Sequence, residues 1–409
     1  MDTPSVTPAT ADEFDACVDV ADVAFHGDTT PERRARMRAW MDTDRLRVVR
    51  DDGRIVATSA AWSWSLSVPG GSLPVSAVTI VTVLPTHRRR GILRAMMTRL
   101  AEEARERGEP LAALWASEGA IYGRFGFGPA SWSRELRASL AAGLPLRAGT
   151  ADAPAIRLVP RAADAHRELA AIHERACTRR AGLVDRREPW WTRRVLADDP
   201  AERGGAGPLR AAVAGTDGYA LYRVREGAET SPVAAWTTVE VAELVGATAE
   251  AERALLAFVA SIDLADELVL ASRPVDDPLV HAPVDARALL PGTAHDALWL
   301  RILDLPAAVA GRSWAAPLDL TLAIEHAEDA GVAGTWRLAG GPDGATAERT
   351  DGPPDLVLHA RELASLYLGG VTAAALRDAG VLREATDGAV DRFDAALRVV
   401  RAPWTTGVF

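Results

Sequence analysis

Two hydrophobic rhythms alternate along this chain, and the points where one gives way to the other locate its elements. Ser76 to Val83 (SAVTIVTV) is rich in β-branched residues and predicts a strand. Pro85-Thr86-His87 breaks that run. From Gly91 onward Ile92, Leu93, Met96, Met97 and Leu100 recur at helical spacing and predict a helix. Arg107-Gly108 closes it, because glycine accepts the left-handed cap. Leu111 to Ala116 then predicts a second strand. Strand, helix and strand in this order describe a crossover unit with neighbouring parallel strands.

The same order returns more weakly downstream. Thr237 to Leu244 reads as a strand, Ala249 to Ile262 as a helix and Glu267 to Ala271 as a strand, after an extended run from Ile156 to Pro160. Further on, strands are predicted at Leu298 to Ile302, Leu318 to Ile324 and Leu356 to Leu358. Helices are predicted at Leu305 to Ala310, Leu363 to Tyr367 and Ala373 to Ala379. Seams rich in alanine, glycine and proline, around Ala141 to Pro154 and Pro291 to Thr293, divide the chain into domains 1–150, 151–293 and 294–409. The expected fold class is α/β with an α+β third domain.

Composition narrows the function. A chain of 409 residues is too long for one core and suits two or three domains. No stretch reaches the roughly 20 apolar residues of a membrane span. The segment Met1 to Phe14 is polar and acidic, so no secretory signal is expected. Two cysteines, Cys17 and Cys177, cannot build a disulfide framework and suit a reducing cytoplasm. Both read as small buried fillers rather than nucleophiles. All 46 basic residues are arginine, yet the formal net charge is -10, which argues against nucleic acid and mildly favours cationic substrates. The eight histidines show no metal spacing; His166 and His173, two helical turns apart, read as a solvated helix face.

Two segments carry candidate chemistry. In the first, the strand ending Val81-Thr82-Val83 runs into Arg88-Arg89-Arg90-Gly91, and that loop opens the helix through Ile92, Leu93 and Arg94. The first amides of a helix lack intrahelical partners and attract anions, which flanking arginines reinforce. Gly91 leaves room for a phosphate to approach the backbone. Taken alone, three arginines in a row also fit a solvated loop.

The second segment, Ser117-Glu118 through Tyr122 to Phe125-Gly126-Phe127-Gly128, follows the second strand. Tyr122 falls just past the strand's C-terminal end, where open α/β sheets place ligands. A phenol of pKa about 10 can protonate a departing thiolate whose conjugate acid has pKa about 8.5. A glycine-rich turn plugged by aromatic residues is the bland alternative.

Together, THRRRGILRAMM, ASEGAIYGRFGFGPAS, DGYALYRV (Asp217 to Val224) and ASLYLGG (Ala364 to Gly370) resemble the GNAT acetyltransferase superfamily, specifically its enhanced-intracellular-survival (Eis) branch. The resemblance spans all three blocks in order. It implies two tandem GNAT-like domains, the second degenerate for want of an arginine loop, and a sterol-carrier-like C-terminal domain. It implies an acetyl-CoA-dependent, metal-free N-acetyltransferase of the cytoplasm, assembling as a hexamer and acting on aminoglycosides, polyamines or lysine-like amines of peptides. By the match, Val81, Thr82 and Val83 bond the pantetheine arm, and Arg88 to Arg94 cradle the pyrophosphate. Ser117 and Glu118 line the acetyl end, Tyr122 is the general acid, and the Phe409 carboxylate is the general base; because a terminal carboxylate of reference pKa about 3.5 is a weak base, we read it as orienting the ammonium first and as a base second. Phe25, Asp28 and Trp40 form an acceptor wall on this reading; core packing and helix capping explain them equally well. Leu93 departs from the small residue common in the wider superfamily, a change the branch shares. Gly407-Val408 leave no acidic side chain beside Phe409. A non-catalytic acyl-CoA or lipid-binding protein is the competing expectation.

Overall fold

The structure, a computed structural model, describes residues 4–147, 153–231, 234–325, 329 and 331–407. They fall into two units: the stretch through Ser131 with Ala297–Val400, and Trp132–Asp296 with Arg401–Gly407.

In the first unit the two predicted strands fall within β4 (Gly71–Val83) and β5 (Leu111–Trp115), and three that the pattern does not mark, β1 (Val6–Pro8), β2 (Arg47–Asp51) and β3 (Arg54–Val68), precede them, all laid side by side in chain order. Helices α1 (Phe14–Phe25), α2 (Pro31–Trp40) and α3 (Ile92–Glu106) accompany them. The periodic residues of α3 do what their spacing predicts: Ile92, Met96, Met97 and Leu100 are buried, at roughly 1.5–3 kcal/mol each. Leu93 is only half-buried.

β4 and β5 are parallel, as expected, but their pairing covers only Val75–Leu111, Ser76–Ala112 and Ala77–Ala113. Beyond Ala77, β4 runs on to Val83 beside β3 alone. At that departure Ile80 takes φ +50, next to a register shift in the β3–β4 ladder. A β-branched residue in the left-handed region is strained, and such bulges re-aim a strand.

Two strands cross the boundaries expected from the seams. Leu298–Ile302, assigned by pattern to the third domain, pairs antiparallel with β5 and completes the first sheet. Trp132–Ser139, within the expected first domain, joins the second unit's sheet beside Glu267–Pro274. The rest of the first unit is a five-stranded sheet in which the parallel pair Leu318–Glu325 and Leu356–His359 is central. Its hairpin Gly334–Gly341 and Gly344–Arg349 and its helix Ala389–Leu397 were not anticipated.

The second unit repeats the crossover: Ala234–Gly246 and Glu267–Pro274 are parallel, with helix Ala249–Ala260 between them. Its interior corrects one reading. His173 is buried, not solvated: its ring packs edge-on against Trp191 at 5.6 Å and its Nε2–H donates to the Val184 carbonyl at 3.0 Å. Burial first, and then the Arg186 guanidinium, push its pKa down to about 3, against the pull of that carbonyl. An unfolded imidazole protonates near pH 6.5, so the stability its neutral form contributes is complete above that pH and is lost as pH falls toward 3. Lowering the pH to 5 should therefore cost the second unit about 2 kcal/mol in urea unfolding, and His173→Gln should flatten this dependence. An unchanged slope in that variant would assign the acid sensitivity elsewhere. Among the described residues no helix is long and apolar enough to cross a membrane.

Candidate active site

Divergence of β4 from β5 opens a cleft of about 510 Å³ in the first unit. One wall is the edge of β4 at Val81, Thr82 and Val83. A second is the loop and first turn of α3, through Arg88, Arg89, Gly91, Ile92, Leu93 and Arg94. The third comes from Ser117 to Phe125, after β5.

Local conformation explains the loop. Pro85–His87 forms a single 3-10 turn, Arg89 takes φ +62, and Gly91 takes φ +79 as the N-cap of α3. Only glycine enters that region without penalty, and a Cβ built on Gly91 would meet nothing within 4 Å, so the space beside it is open. No side chain caps the helix. Its leading amides therefore face the cleft with partial positive charge and no competing acceptor.

The second unit supplies the contrast. There the corresponding loop is Val245-Gly246-Ala247-Thr248. Thr248 Oγ1 accepts from Ala251 N–H at 3.2 Å and caps the helix itself. A Cβ on Gly246 would lie 2.5 Å from Glu252 and 2.8 Å from the Thr248 carbonyl. This helix start is self-capped and filled, and no arginine stands in the loop.

Tyr122 closes the short helical turn Gly119–Tyr122 and is 6% exposed. Its ring packs edge-on against Phe127, with centroids 6.1 Å apart. Burial raises the phenol pKa above its ordinary value; a hydrogen bond shared with Ser117 lowers it, and the Glu118 charge raises it. The hydroxyl thus stays protonated throughout the neutral range. The glycines that follow have their own reason. Gly126 takes φ +84, and a Cβ on Gly128 would lie 2.0 Å from the Arg361 carbonyl, where helix Ala360–Leu366 crosses.

Most of the residues singled out from sequence are brought together here, and a few are not. Phe25, at the end of α1 and half exposed, lines the cleft. Arg90 turns away to Asp51 Oδ2 at 3.4 Å and to the Thr86 carbonyl at 3.2 Å. Trp40 packs on Trp62, which stacks on Trp64. Asp28 is exposed and off the cleft wall. Phe409 lies outside the described residues. The cleft also takes in Ala24, His87, Ile121, Arg124 and Phe125, none of which had been singled out. His87 bridges Thr86 Oγ1 at 2.8 Å and Asp51 Oδ2 at 3.0 Å, bracing the loop against the β2–β3 turn. Burial pushes both thiols, of Cys17 and Cys177, up to about 12, which leaves no thiolate nucleophile at neutral pH.

Comparison with known proteins agrees with this geometry. Family models described as acetyltransferase (GNAT) domain match residues 5–130 and 182–302, and one described as sterol carrier protein domain matches 305–406. An N-acetyltransferase of Streptomyces coelicolor is 39% identical over 355 residues, 85% of this chain and 84% of that protein. The N-acetyltransferase Eis of Mycobacterium tuberculosis is 34% identical over 397 residues, 95% of each chain. Among solved structures, Eis1 from Mycobacterium abscessus superposes with a TM-score of 0.87 at 32% identity, covering 100% of both chains.

Proposed function

This chain belongs to the Eis family of GNAT N-acetyltransferases, and on that premise we propose that it transfers an acetyl group from acetyl-CoA directly to primary amines of cationic acceptors. The observation that carries the reading is the convergence, in one cleft, of the freed β4 edge, an uncapped arginine-flanked helix start and a protonated tyrosine.

The residues present fit acetyl-CoA, which supplies an activated thioester when bound. Arg88, Arg89 and Arg94, with the leading amides of α3, offer charge-assisted bonds to a pyrophosphate. The backbone of Val81 to Val83, released from β5, offers the hydrogen bonds a pantetheine arm needs. Ser117 and Glu118 stand at the acetyl end, beside the Tyr122 hydroxyl. The phenol donates its proton as charge builds on the departing sulfur.

A lysine-like amine has pKa about 10.4 and must lose a proton before it attacks. Glu118 and the exposed ring of Phe25 suit an approaching ammonium, through charge pairing and cation–π attraction. The Phe409 carboxylate, carried over from the resemblance, orients the ammonium on this reading. Aminoglycosides, polyamines and lysine side chains of peptides are the acceptors proposed, in a cytoplasmic homohexamer.

Incubation with acetyl-CoA and a panel of aminoglycosides, spermidine and lysine peptides should release free thiol well above the amine-free background. No release across the panel would overturn this donor–acceptor pairing. Extending the chain beyond Phe409 with a short tag should suppress turnover without changing CoA affinity; unaltered kinetics would remove the terminal carboxylate from the mechanism.

A further inference from the structure

The second unit holds a cleft that the acetyl-transfer reading leaves unused. It measures about 570 Å³, within the range of small-molecule sites. Pro160–Ala163, the segment around Leu196 and Asp198, and Pro208–Arg210 enclose it. Leu196 and Leu209 are buried and give it an apolar floor, flanked by Pro160 and Pro208. Arg161, Arg203 and Arg210 stand around that floor, with Asp198 as the one carboxylate among the lining residues.

That carboxylate is already committed. Arg203 grips it with two bonds of 2.9 Å, Arg223 binds the same group, and the Leu209 N–H donates to it at 3.1 Å. Among the lining residues, Arg203 and Asp198 therefore cancel. Arg161 and Arg210 leave two positive charges, and among the described residues neither forms an ion pair. A concave site whose lining carries two uncompensated positive charges, in a chain of net charge -10, runs against the sign of the chain as a whole. Such a site attracts an oxyanion, and the leucine floor attracts what the oxyanion is attached to.

We propose that this cleft binds a small organic anion, a carboxylate or phosphate carried on an apolar body, held by Arg161 and Arg210 over Leu196 and Leu209. It is a site separate from the acetyl-transfer cleft. The loop of the second GNAT domain that matches the arginine loop is self-capped, so this domain takes its anion elsewhere.

Isothermal titration of the full chain, with saturating coenzyme A present to fill the first unit's cleft, tests it. Phenyl phosphate and benzoate are the probes, inorganic phosphate and benzamide the controls. At least one of the two aromatic anions should bind more tightly than either control, and the tighter of the two identifies the headgroup. Arg161→Ala combined with Arg210→Ala should weaken that binding at least tenfold while acetyl transfer proceeds at the wild-type rate. The proposal is overturned by undiminished binding in this double variant, or by no binding of either anion at millimolar concentration. Loss of binding in Arg88→Ala with Arg94→Ala instead, or inorganic phosphate or benzamide binding as tightly as the aromatic anions, would overturn it equally.

Discussion

Tyr122→Phe should lower kcat by about 10²–10⁴-fold, the usual share of a general acid, and leave coenzyme A affinity nearly unchanged. The asymmetry follows from how the residue is held. Its ring is buried and edge-packed on Phe127, so phenylalanine keeps the packing and removes only the hydroxyl. The groups proposed to grip the nucleotide, Arg88, Arg89 and Arg94, lie on a different wall and are untouched. The phenol pKa lies above its ordinary value, so the acid required for turnover is lost only at strongly alkaline pH. Wild-type pH profiles should therefore show no phenol limb below about pH 10, and the variant should be slow at every pH. A kcat for Tyr122→Phe equal to wild type would remove the general acid and leave the tyrosine a packing residue.

Much of this cleft was legible because its information is local. A β-branched run, a proline break and an i, i+3, i+4 spacing place Val81–Val83 and Ile92–Arg94 on a strand and a helix start without knowledge of the rest of the chain. Three consecutive arginines, in contrast, look alike in sequence. Only the left-handed turn at Arg89 and the distant carboxylate of Asp51 separate Arg90 from its neighbours. Ala24 reaches the cleft through the packing of α1, and no pattern in that helix announces it.

Strand exchange was invisible for the same reason: alternation marks a strand but not the sheet it joins. Leu298–Ile302 has five buried residues in a row, the pattern of a central strand, and its partner is β5, almost 200 residues earlier. His173 was misread because its burial is set by Trp191 and Val184, which follow in later turns of the chain. In the glycine-rich turn Phe125-Gly126-Phe127-Gly128, Gly128 is held small by helix Ala360–Leu366, which the turn's own sequence does not announce.

The paired stretch of β4 and β5 supplies the second large effect. Arg45 and Glu109 are buried side by side, with Nη1 to Oε1 at 2.8 Å and Nη2 to Oε2 at 3.1 Å. Arg45 also donates to Ser63 Oγ at 2.8 Å and to Ser76 Oγ at 2.9 Å, and Ser63 donates in turn to Glu109. Ser76 lies within the three-residue stretch where β4 pairs with β5, and Glu109 precedes β5 by two residues. The network thus pins the two strands together just before they part. Glu109→Ala would leave a guanidinium buried without a counter-charge, and should destabilise the first unit by about 3–5 kcal/mol. Arg45→Met combined with Glu109→Met removes both charges and should recover most of that loss, since replacing a whole buried pair is often neutral. At temperatures where the Glu109→Ala chain stays folded, the loosened β4–β5 junction should raise KM for acetyl-CoA more than it lowers kcat, because Tyr122 is held separately by Phe127. Urea unfolding of the three chains, with exchange of the Ser76 and Ala77 amides as the local readout, decides it. A loss below about 1 kcal/mol for Glu109→Ala, the worth of an exposed pair, would show that the junction is held by its strand pairing alone.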